Sequence, residues 1–120
     1  MGKFEHTETN LVVEQGAKLV RDKIPEIIRI EGRSPKVEIL DDEGYERALC
    51  AKAIEEATEF SEAVTDAHVL EEAADMIEVL RARLGLRGLS LDDVEQVRVQ
   101  KNEQRGGFAE RLFMYPVSGE

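Results

Sequence analysis

From Tyr45 to Leu84 the chain contains neither glycine nor proline, and within that run two amphipathic patterns follow each other almost without a break. Leu49, Ala53, Ala57, Phe60 and Val64 recur at steps of three and four, which predicts a helix from about Glu43 to Thr65. A second helix is expected from between Asp66 and His68 to Gly85, with Val69, Ala73, Met76, Val79, Leu80 and Leu84 along one side. So short a connector leaves an antiparallel hairpin as the natural arrangement.

Acidic residues on a solvated helix face, such as Glu62 and Glu78, need no explanation. Glu72 is different, because Val69, Met76 and Val79 are its neighbours along the helix surface and it interrupts the apolar stripe. Glu56 repeats the pattern among Ala53, Phe60 and Ala63. Each has an acidic companion one turn on, Glu59 and Asp75 respectively. In an antiparallel hairpin the cross-pairs Glu59 with Glu72 and Glu56 with Asp75 share one symmetry point, between Thr65 and Asp66, inside the predicted turn. All four carboxylates then fall within about 5 Å of height, at ~1.5 Å rise per residue. Four converging, partly buried carboxylates repel and desolvate one another unless protonated or neutralised, and a divalent cation removes that conflict. All-oxygen ligation suits Mg2+, or Mn2+, and there is no Cys/His cluster of the kind zinc prefers.

The flanks are less regular. Asp22 or Lys23 precedes a short helix with Pro25 in its first turn and Gly32 as its stop. After the Arg33-Ser34-Pro35 turn, Val37-Glu38-Ile39-Leu40 reads as a short strand or an extended arm, with Leu112-Phe113-Met114-Tyr115 as a partner for a short β-hairpin. Ser90 and Asp93 form a capping-box-like pair ahead of a further helix through Val94 and Val97 toward Lys101, ended by Gly106 and Gly107. We take residues 1–17 as a loose tail, 18–115 as one domain and 116–120 as a C-terminal tail.

A content of 42% hydrophobic and only 5% aromatic residues fits an all-α fold packed through aliphatic side chains. The net charge of −10 argues against a nucleic-acid polymer as partner. No run of membrane length or signal-peptide type occurs, so we expect no membrane association and a cytoplasmic setting. The lone Cys50 reads as core, and neither His6 nor His68 is given a function.

Glu55-Glu56-Ala57-Thr58-Glu59 followed by Glu72-Ala73-Ala74-Asp75 resembles the EExxE…ExxD signature of the MazG and phosphoribosyl-ATP pyrophosphohydrolase superfamily of all-α nucleotide pyrophosphohydrolases. The opening from Lys18 through Arg21-Asp22-Lys23-Ile24-Pro25 to Ile28 resembles a single-domain branch of it, and Lys101 with Arg105-Gly106-Gly107-Phe108 resembles its close. The resemblance implies that Glu56, Glu59, Glu72 and Asp75 bind magnesium, with Glu55 as an outer residue or general base. It also implies a homodimer or homotetramer whose helical hairpins complete a four-helix bundle, and Ile54, Leu70 and Ile77 widen the apolar arcs as such a partner requires.

Lys18, Arg21 and Lys23 form a compact positive cluster in an acidic chain, and Lys101 and Arg105 continue the Val94, Val97 stripe. These five are the expected ligands of substrate phosphates, and Glu55, Glu59 and Lys101 the expected catalytic residues. The activity expected first is hydrolysis of a nucleoside triphosphate between its α- and β-phosphates. Two alternatives stand beside it: the phosphoribosyl-ATP pyrophosphohydrolase reaction of histidine biosynthesis, and a non-enzymatic helical interaction protein, which predicts no specific magnesium affinity.

Overall fold

The computed structural model describes residues 16–119, so the expected tail of residues 1–17 and His6 fall largely outside the described residues. Four helices lie among the described residues: α1 (Ile24–Ile30), α2 (Asp42–Glu62), α3 (Asp66–Gly85) and α4 (Leu91–Arg105). The chain divides into two compact units, the first ending at Leu89 and the second beginning at Ser90.

Sequence signals account for the helix ends. Pro25 opens α1 in the first turn, where its missing N–H has no helical partner to lose. Gly32, at φ +91°, closes it: Arg33 N–H reaches Ile28 C=O and Gly32 N–H reaches Arg29 C=O, the paired bonds of a left-handed helix stop. Asp41 caps α2 by accepting from Gly44 N–H at 2.8 Å, and Thr65 caps α3 by accepting from His68 N–H at 3.2 Å. Gly85 is the last helical residue of α3, but the left-handed stop lies three residues on, at Gly88 with φ +71°, where Leu89 N–H returns to Leu84 C=O. Ser90 and Asp93 form the expected capping box of α4.

In the first unit α2 and α3 pack as the antiparallel hairpin, joined by Ala63, Val64 and Thr65. Far from that turn, Arg83 Nη2 reaches Glu46 Oε2 at 2.8 Å and ties the helices across. The face α2 turns inward differs from expectation. Ala53, Ala57, Phe60 and Val64 are exposed, Val64 to 88%, while Lys52, Glu55, Glu56, Glu59 and Ala63 are half-buried or buried beside Leu49. The helix is thus turned by about one residue, ~100°, from the orientation its aliphatic content predicts. Beyond Leu49 the inward face is set mostly by charged side chains, and the rest of the apolar stripe is left outside. On α3 the expected stripe does face inward at Val69, Ala73, Met76 and Val79, although Leu80 is 47% exposed. Cys50, expected in the core, is half-buried.

No strand occurs among the described residues, and the two segments expected to form a β-hairpin, residues 37–40 and 112–115, are each irregular. A run of four residues carries too few ladder bonds to hold a strand without a neighbour. No helix among the described residues is long and apolar enough to cross a membrane.

Candidate metal centre

Three of the described residues are buried: Leu49, Glu56 and Glu72. Two carboxylates thus occupy what would ordinarily be aliphatic core, an arrangement proteins avoid unless the charges are paired or bind a cation. Both point into the seam of the hairpin. The turn at Ala63–Thr65 sets the register that brings α2 position 56 beside α3 positions 72 and 75, as the symmetry of the two motifs predicts.

One carboxylate oxygen from each of Glu56, Glu72 and Asp75 lies within 4.8 Å of the others, a spacing that a single ion can bridge. A second triple, Glu55, Glu56 and Glu59, has the same compactness and shares Glu56. Glu56 Oε1 and Glu72 Oε1 are buried with no hydrogen-bond partner among the described residues. An orphaned buried acceptor is costly, on the order of 1–3 kcal/mol or more when charged. Burial, the contact with Glu72, and the charge of Glu59 push the Glu56 carboxyl up to about 7. Burial and Glu72 also raise the carboxyl of Glu59 above its usual range. The donor set consists of oxygens alone, and a divalent cation would satisfy both orphaned atoms and offset the mutual repulsion, so these residues fit such an ion.

Basic groups surround the cluster. Lys52 Nζ stands 3.6 Å from both Glu55 Oε1 and Glu56 Oε2. His68 Nε2 is 3.2 Å from Glu72 Oε2, and Arg21 Nη2 donates to Asp75 Oδ1 at 2.7 Å across 54 positions of sequence. Lys52 and His68 have no role in the sequence-based reading, although each precedes a site carboxylate by four residues, a spacing that places it on the same helix face. Arg21, expected on a phosphate, has one nitrogen engaged by Asp75. Lys18 and Lys23 are exposed on the segment leading into α1. Lys101 and Arg105 lie exposed on α4, in the second unit.

A family model described as phosphoribosyl-ATP pyrophosphohydrolase matches residues 23–102 of the 120, a span that contains both acidic motifs. The chain belongs to the phosphoribosyl-ATP pyrophosphohydrolase family. Its members are hydrolases, and the paired EExxE and ExxD motifs of this family member are the ones that converge in the hairpin. A protein of Mycolicibacterium smegmatis (strain ATCC 700084 / mc(2)155), described only as an uncharacterized protein, is 49% identical over 55 residues. That stretch covers 46% of this chain and 56% of the relative, so the chain spans about half the length of the curated relative it matches. No solved structure matches the chain.

Proposed function

We propose that the protein is a nucleotide pyrophosphohydrolase that uses Mg2+, or Mn2+, to split the bond between the α- and β-phosphates of its substrate. The observation that carries this reading is the pair of buried carboxylates, Glu56 and Glu72, each with an oxygen lacking a partner, beside Asp75. The matched family favours phosphoribosyl-ATP, giving phosphoribosyl-AMP and pyrophosphate, over the nucleoside triphosphates expected first from sequence. Nucleoside triphosphates remain the second reading, supported by the Arg21-Asp22-Lys23-Ile24-Pro25 start.

Glu56, Glu72, Asp75 and Glu59 would hold the ion, which supplies Lewis acidity and charge neutralisation at the phosphates. Water attacks the α-phosphorus, a P–O bond forms, the α–β bridging bond breaks and pyrophosphate departs with the electron pair. Glu55 and Glu59, at the more open edge of the cluster, are placed to take the proton of that water, and burial beside Glu72 raises the proton affinity of Glu59. Lys18, Lys23 and the unengaged nitrogens of Arg21 hold phosphate oxygens. Lys101 and Arg105 serve the same purpose from α4, Lys101 also stabilising charge in the transition state, a reading that rests on their helical spacing.

The working domain is residues 18–115, and the working unit a homodimer or homotetramer. Ile54 at 70%, Leu70 at 71% and Val64 at 88% exposure lie on the hairpin surface turned from its seam, and a second hairpin would cover them. The direct test is pyrophosphate release from phosphoribosyl-ATP and from a panel of nucleoside triphosphates, with and without Mg2+. Activity unchanged in Glu56→Gln and Asp75→Asn removes the proposed site; no turnover together with no effect of Mg2+ on thermal stability returns the chain to an interaction module.

A further inference from the structure

Three of the carboxylates in the seam share a second pattern. Glu56 turns Oε2 toward Lys52 Nζ at 3.6 Å, while its Oε1 is buried without a partner. Glu72 turns Oε2 toward His68 Nε2 at 3.2 Å, and its Oε1 is likewise buried and unpartnered. Asp75 accepts from Arg21 at Oδ1, which leaves Oδ2. The side chains of Glu56 and Glu72 are 6% and 9% exposed, so water does not satisfy the inner oxygens. The basic partners arise independently: Lys52 one turn before Glu56 on α2, His68 one turn before Glu72 on α3, and Arg21 in the segment ahead of α1.

A carboxylate with one oxygen committed to an N–H donor, as in Asp75 and Glu72, or drawn toward an ammonium group by ion pairing, as in Glu56 beside Lys52, offers a metal its other oxygen. That restriction discriminates between ions. Mg2+ and Mn2+ take single oxygens in tight octahedra, at roughly 2.0–2.1 Å for Mg2+, whereas Ca2+ takes about 6–8 oxygens, often both from one carboxylate. Donors behind ligating groups fix their orientation and tune the ion that binds.

We propose that Arg21, Lys52 and His68 are positioning residues that hold Asp75, Glu56 and Glu72 to one metal-facing oxygen each, and so select a small six-coordinate ion over calcium. The inference rests on the metal-centre reading above. It differs from charge balancing: removing a positive charge strengthens binding of both ions by a similar factor, which cancels in the ratio of their affinities, whereas freeing an oxygen for bidentate contact changes that ratio.

Calorimetric titration of the full chain with Mn2+ and, separately, Ca2+ tests it. The wild type is expected to prefer Mn2+, and Arg21→Met, Lys52→Met and His68→Ala each to lower the Mn2+/Ca2+ affinity ratio by about tenfold. Arg21→Lys and Lys52→Arg, which restore an N–H donor, are expected to recover most of it. Circular dichroism of all five variants confirms that the helices are retained. A ratio equal to that of the wild type in all three donor-less variants overturns the proposal while leaving the metal centre standing. Uptake of neither ion by the wild type overturns both.

Discussion

Glu56 and Glu72 meet inside the α2–α3 hairpin as two buried carboxylates, each with an inner oxygen that no described hydrogen-bond donor reaches. A pair of this kind opposes folding unless one member is protonated or a cation lies between them.

Replacing Glu56 by Gln is therefore expected to stabilise the protein in chelator while abolishing tight Mn2+ uptake. The gain is greatest at pH 8, where the carboxyl that the fold raises to about 7 from its ordinary 4.5 is ionised in the native state. Thermal melts with EDTA and with Mn2+ measure both effects. A variant less stable than wild type in EDTA contradicts the strain assigned to this pair.

The same group dictates a pH dependence. Because Glu56 is shifted up in the fold, the native state holds more protons than the unfolded chain between about 4.5 and about 7. Stability without metal then falls as pH rises through that window and levels above it. Binding of a divalent ion needs the ionised form, so the rise in Tm on adding Mn2+ grows as pH climbs through about 7. Melts at pH 5, 6, 7 and 8 should show the two trends in opposite directions, and Glu56→Gln should flatten the first.

Glu55→Gln and Glu59→Gln separate ligand from base. A variant that loses only the proton acceptor keeps Mn2+ affinity and loses about 10²–10⁴ in kcat. We expect Glu59→Gln to lose metal affinity as well, because it stands on the inward face next to Glu72, and Glu55→Gln to retain it. Equal Mn2+ affinity in both variants would contradict that assignment.

On α4, Lys101→Ala and Arg105→Ala are expected to raise KM for the nucleotide at unchanged Mn2+ affinity, with Lys101→Ala also lowering kcat. Each loses a charge-assisted phosphate bond, about 1.5–3 kcal/mol. Steady-state kinetics at saturating metal decides it. Wild-type KM values in both would place these residues outside the substrate site.

The hairpin and the start of α4 are legible in the sequence because each depends on local spacing: two acidic motifs in mirrored register about the turn, and Ser90 with Asp93. The rotation of α2 is not. Counting aliphatic side chains places Ala53, Ala57 and Phe60 inward, but that rule assumes an apolar core, and here the seam is organised around Glu56 and Glu72. The contact of Arg21 with Asp75 is also hidden, since it joins residues 54 positions apart and no periodicity links them. Lys52 and His68 were visible as spacings, four residues before Glu56 and Glu72, yet such lysines and histidines on helices usually face solvent.

Every acid of the proposed ion cage comes from the stretch between Glu55 and Asp75, two helices and one tight bend. The cage and the basic residues assigned to the substrate on α4 are thus written in separate parts of the chain. On the proposed reading, variation beyond Leu89 would alter which nucleotide is accepted while the ion keeps its ligands, a division that would let one reaction be redirected to new molecules by small steps.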